Sequence, residues 1–151
     1  MAERSKGKVG RTGGAKTRCS GAWTEARYRS FIKGNLRRCS MKWAPINQCK
    51  KEARTKRGFY RCAGCGEEVP ASLKVEGSRR RSNNVHVDHI DPIIDPAVGW
   101  TTWDDCIERM FCEKDNLQVL CTACHKVITD EEKQVAKERR AQEKLEKLKD
   151  E

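Results

Sequence analysis

The sequence predicts an α+β fold: a small strand–loop–strand–helix core, with basic helices before it and a charged helix after it. Three observations predict it. Val85-His86-Val87 alternates apolar and polar residues, the period of a half-buried strand, and residues 117–120 read as a second strand. Two C-x-x-C pairs, Cys62/Cys65 and Cys121/Cys124, flank that first strand. Only 36% of the 151 residues are apolar and 36% are charged, so the core must be small. A structural metal is one way to hold such a scaffold.

Taken in order, residues 1–22 form a basic arm rich in Gly, Lys, Arg and Ser. It is expected to be disordered alone and to order on a phosphate backbone. Residues 23–57 form a basic helical region. Thr24 can cap a helix with Tyr28, Phe31, Ile32 and Leu36 on one face, which Gly34 weakens. Pro45 suits the first turn of a second helix, whose inner face is Ile46, Cys49 and Ala53. Arg27, Arg37, Arg38, Lys50, Lys51 and Arg54 are candidate nucleic-acid contacts, although a charged face is usually only solvated. Residues 1–61 hold 18 Lys and Arg against Glu3, Glu25 and Glu52, a net +15. The remaining residues carry −5 of the total +10. Such asymmetry implies a polyanionic partner. Charge alone does not separate DNA from RNA or from an acidic membrane surface.

Residues 58–130 form the core. A strand at 59–61 leads into Cys62, and a second at 68–75 completes a hairpin. Residues 77–84 carry Arg79, Arg80 and Arg81 and no apolar side chain, so they read as an exposed basic loop. Thr102 can cap a short helix, 103–110, with Trp100, Trp103, Ile107 and Met110 as apolar contacts. Thr129 and Glu132 have the spacing of a capping box. The helix after it fills the C-terminal segment, 131–151, and is expected to be solvated. Its apolar residues are too sparse for a coiled-coil seam.

Nine cysteines in this length would suit a secreted disulfide framework, but the N-terminus has no apolar h-region. No apolar run approaches the ~20 residues of a membrane span. A reducing, cytoplasmic setting with metal-bound thiolates fits better. Two C-x-x-C turns complete a tetrahedral S₄ set suited to structural Zn²⁺, with no open position for substrate. An iron–sulfur cluster or a redox pair matches the ligands alone, but neither accounts for two knuckles flanking the histidines. Cys19, Cys39, Cys49, Cys106 and Cys112 have no partner motif.

The three histidines, His86, His89 and His125, all lie between Val85 and His125. Asp88-His89, Asn116, and His125 directly after a C-x-x-C pair resemble the HNH (His-Asn-His) endonuclease family. Its bacteriophage members are the best fit, through Gly99-Trp100-Thr101-Thr102-Trp103-Asp104 and Asn116-Leu117-Gln118-Val119-Leu120-Cys121. The resemblance is strong over 59–132 and less specific from Thr24. It implies a zinc-stapled ββα-metal (His-Me finger) core that hydrolyses DNA phosphodiester bonds. His89 would be the general base. Asp88 and His125 would hold a catalytic Mg²⁺ or Mn²⁺, for which Ni²⁺ or Co²⁺ can substitute. Asn116 would hold the loop that orients the base. The family often has Lys-Thr after its last histidine, where this chain has Ile128-Thr129, so Lys126 becomes the candidate phosphate contact.

The residue types suit the chemistry. One hard cation and one imidazole can deprotonate water, stabilise the phosphoryl charge and relieve the leaving 3′ oxygen. Adjacent Asp88 and His89 face opposite sides of a regular strand, so they share a cleft only where the strand ends or bends. Pro92 supports an ending. His86 lies on Asp88's side as a ligand, a phosphate contact or plain surface. One site nicks one strand; a double-strand break needs a homodimer or two binding events. Two other readings remain: a zinc-stabilised DNA-binding module without cleavage, and a partner of phage packaging proteins, in a host cytoplasm, active only within a complex.

Overall fold

Three of the helices begin where the sequence places their starts in the computed structural model, which describes residues 14–149. The first part of the basic arm, 1–13, lies outside the described residues. Thr24 Oγ1 accepts from Arg27 N at 3.2 Å, and α1 (Glu25–Ser40) follows. Pro45 sits in the first turn of α2 (Ala44–Glu52), where its missing N–H has no intrahelical role. Thr102 Oγ1 accepts from Asp105 N at 3.2 Å to start α3 (Trp103–Met110).

The architecture is mixed α+β in two compact units, one ending at Arg38 and one beginning at Cys39. Placed with the basic helical region by the sequence, α2 falls in the second unit. In the first unit, β1 (Lys16–Arg18) pairs antiparallel with β2 (Trp23–Thr24). Arg18 lies 4.3 Å over the Tyr28 ring and pairs with Glu25.

The second unit holds three small sheets. β3 (Arg54–Lys56), β4 (Phe59–Arg61) and β5 (Glu68–Pro70) are antiparallel in that order. β6 (Ser72–Lys74) and β7 (Arg81–Asn83) form a separate ribbon. β8 (Val85–His89) and β9 (Leu117–Cys121) pair in unbroken register from Val85↔Cys121 to His89↔Leu117. The period of two puts Val85 and Val87 on the same face as Leu117 and Val119. Val85 and Val87 with Leu117 and Val119 pack on Ile46 and Cys49 of α2. Leu120 joins Cys62 and Cys121 in a second cluster, on which Cys124 and Ile128 pack.

Four sequence expectations are corrected. The single strand at 68–75 breaks at Ala71, whose N–H goes to Gly58 O at 2.8 Å; residues before and after it serve different sheets. The basic loop at 77–84 is therefore largely the turn and second strand of a ribbon. The capping box at Thr129 does not start a helix. α4 (Thr122–Lys149) is continuous from the end of β9, and Thr129 Oγ1 donates to His125 O at 2.8 Å inside it. Nor is α4 wholly solvated. Arg139 Nε donates to Pro96 O at 3.1 Å, and the guanidinium lies against Gly99, which has φ +88. No helix among the described residues is long and apolar enough to cross a membrane.

Candidate metal centre and histidine cluster

The sulfurs of Cys62, Cys65, Cys121 and Cys124 lie within 4.8 Å of one another. β4 delivers Cys62, and the turn after it closes through Gly66 N to Cys62 O at 2.9 Å. Ala63 N donates to Val119 O at 2.8 Å, which fastens this knuckle to β9. Cys121 ends β9, and Cys124 lies in the first turn of α4. Gly64 permits the closeness: a Cβ there would stand 2.9 Å from Cys124 Sγ. Nothing local in the sequence marks that role.

The four sulfurs differ in acidity. Burial pushes the Cys62 thiol up, but the N–H groups of Cys121, Cys65 and Gly64 outweigh it and bring it to about 6. For Cys65 the Glu67 N–H favours the thiolate, yet the neighbouring Cys62 sulfur and burial leave it raised. Cys124, beside Cys121 and Cys62, is pushed up to about 12. Closely spaced sulfurs resist joint ionisation, and a divalent cation removes that resistance. This all-sulfur set can hold a metal ion such as zinc.

The next residue after Cys124 is His125. Its Nε2 lies 3.8 Å from Asp88 Oδ1, too far for a direct hydrogen bond. Gln118, cross-strand from Asp88, reaches its other oxygen at 3.5 Å. The His86 ring stacks on His125 at 4.8 Å between centroids and 27° between planes. His86 Nε2 sits 3.1 Å from Thr122 Oγ1, whose own proton goes to Asn83 O, so His86 donates there. Burial, then the His125 neighbour, lowers the His86 pKa. Glu132, two helical turns beyond His125, is raised by burial and then by Asp88. His86 and Glu132 thus join the electrostatics of the Asp88–His125 pair; the sequence had left His86 open and had read Glu132 only as a cap.

His89 closes β8 and is turned elsewhere. Its Nε2 lies 3.2 Å from Met110 O. A carbonyl only accepts, so Nε2 is the donor, and in the neutral ring the lone pair falls on Nδ1. The loop after it is clamped by Asn116. Asp91 N donates to Asn116 Oδ1 at 2.7 Å, and Asn116 Nδ2 donates back to Asp91 O at 3.1 Å. Arg109 adds bonds to Asp91 Oδ1 and Pro92 O, both at 3.1 Å.

The candidate basic contacts are dispersed. Arg27 lies over Trp23, and Arg38 donates to Asn35 Oδ1. Arg37 and Lys51 are exposed. Lys50 lies 5.7 Å from the Tyr60 ring centroid, and Arg54 donates to Lys56 O. Lys126 is ion-paired with Asp130. Arg79 and Arg80 are exposed, whereas Arg81 turns back on Ser72. Comparisons of this chain with protein-family models, with curated proteins and with solved structures find no match.

Proposed function

We propose that this chain is a metal-dependent HNH endonuclease acting on DNA, with structural zinc on its four clustered cysteines. The observation that carries the reading is the 3.8 Å approach of Asp88 Oδ1 to His125 Nε2. One oxygen and one nitrogen stand at a separation suited to sharing a cation, and most coordination positions are left for water and phosphate. Mg²⁺ or Mn²⁺ held there would stabilise charge on the phosphoryl group and on the leaving 3′ oxygen.

The other residues take complementary parts. His89, with its lone pair on Nδ1, accepts the proton of the attacking water, and Met110 O holds the ring in that tautomer. Asn116 keeps the strand end and loop rigid through Asp91 and makes no chemical contribution of its own. Zinc on Cys124 would fix the start of α4, and so His125 relative to β8, and strand, strand and helix would then make a ββα-metal core.

The test is supercoiled plasmid incubated with zinc-loaded protein, with Mg²⁺ or Mn²⁺ added or withheld. Nicked circles appearing only with the added cation are expected. Wild type that binds plasmid but cuts in no divalent metal overturns the nuclease assignment and leaves a DNA-binding module.

A further inference from the structure

We infer that the β6–β7 ribbon enters the major groove of B-form duplex DNA, making the preferred substrate double-stranded DNA rather than RNA or single strands. The inference rests on the DNA reading above and goes beyond it in naming the nucleic-acid form.

The ribbon is strongly basic. Residues 72–83 contain Lys74, Arg79, Arg80 and Arg81 against Glu76 alone. Elsewhere in this unit Lys56, Lys114, Lys126 and Arg139 are each paired with a carboxylate. Among the described residues no acidic side chain is paired with the ribbon's four basic groups. Lys74 and Arg81 stand directly opposite each other, with the Arg81 guanidinium turned back on Ser72. Arg80 lies across from Val75, whose N–H donates to Arg80 O at 3.0 Å. Arg79 and Arg80, exposed in the segment before β7, add positive charge at the ribbon's tip, which suits a phosphate backbone.

Three further features narrow the partner. The ribbon has no aromatic side chain, so it offers no stacking platform for single-stranded bases. A two-stranded ribbon fits the major groove of B-DNA, about 12 Å wide, but not the deep, narrow one of A-form RNA. The ribbon is also firmly rooted. Buried Asn84 donates from N to Ala71 O at 2.9 Å and from Nδ2 to Pro70 O at 3.0 Å, and its own carbonyl accepts Thr122 N at 3.0 Å. Its orientation is thereby tied to β8 and to the start of α4, the elements that carry Asp88 and His125.

The experiment compares wild type with the triple variant Lys74→Ala/Arg79→Ala/Arg80→Ala, zinc-loaded and without added Mg²⁺ or Mn²⁺. Fluorescence anisotropy is read on duplex DNA, duplex RNA and single-stranded DNA of one sequence. Removing three phosphate contacts should lower the slope of log K against log[salt] on duplex DNA by about 2.7. Between 50 and 200 mM salt that is about 40-fold less loss of affinity. RNA and single strands should change far less. Arg79→Lys/Arg80→Lys should stay near wild type, and Arg79→Glu, in the exposed turn, should weaken duplex binding with zinc content unchanged. An unchanged duplex slope, or equal losses on all three nucleic acids, overturns the inference. Plasmid cleavage by wild type is scored separately. Cleavage with an insensitive ribbon refutes the ribbon alone, and ribbon-dependent duplex binding without cleavage refutes the nuclease alone.

Discussion

Titrating metal into the cysteine cluster across pH examines its electrostatics directly. At pH 7 the Cys65 and Cys124 thiols, both raised and the latter to about 12, hold their protons, whereas Cys62 at about 6 is mostly thiolate. A metal bound by four thiolates must displace at least the two protons on Cys65 and Cys124. Protons and metal compete for the same sulfurs, so affinity falls as pH falls. The apparent binding constant should change at least about 100-fold per pH unit near neutrality, or ~2.7 kcal/mol. The dependence should steepen as pH drops through about 6, where Cys62 also takes up a proton. Competition against a chromophoric chelator at several pH values between 6 and 8 (arbitrary settings, on the order of half a unit apart) measures the slope. Calorimetry in buffers of different protonation heat counts the protons released. Because binding energy in small metal domains is folding energy, on the order of 10 kcal/mol, the stripped protein should also lose its cooperative melt. Fewer than one proton released, or a melt unchanged by strong chelator, would refute the reasoning.

Three substitutions extend this to the rest of the site. His89→Ala should lower plasmid nicking by at least about 10²-fold while zinc content and DNA affinity stay at wild type; nicking at the wild-type rate removes His89 as the base. Asn116→Ala deletes both bonds to Asp91, so it should cost about 2 kcal/mol and lower the melting temperature by several degrees, with nicking reduced and not abolished. Gly99→Ala places a Cβ 2.7 Å from Arg139 Nη1 at φ +88 and should destabilise the protein by about 1–3 kcal/mol, read by thermal or denaturant unfolding; an unchanged melt would show that the loop and α4 adjust freely.

Much of the fold was legible locally. Thr24, Pro45 and Thr102 mark helix starts because a cap acts through atoms two or three residues away. Val85 to His89 and Leu117 to Cys121 show their strands because one buried face imposes a period of two on the sequence. The four cysteines were legible because each C-x-x-C turn brings two sulfurs together whatever surrounds it. Asn116 was legible as a loop holder only through family resemblance, since its partner Asp91 is remote in sequence.

The remaining features depended on which segments met in space. Thr129 has a capping pattern, but a helix already running from Thr122 occupies its backbone, and a local signal cannot reveal that prior claim. Ala71 divides two sheets because strands at 59–61 and 81–83 compete for the residues on either side of it. Arg139 looked like one more solvated charge until Gly99, forty positions away in sequence, opened a space for it. His86 acquired its place by stacking on His125, across the junction of strand and helix. The sequence alone determined which side chains could ligate metal or accept a proton. The nitrogen that His89 leaves free was decided by a carbonyl oxygen on Met110, because a backbone acceptor has no signature in the identity of the residue that supplies it.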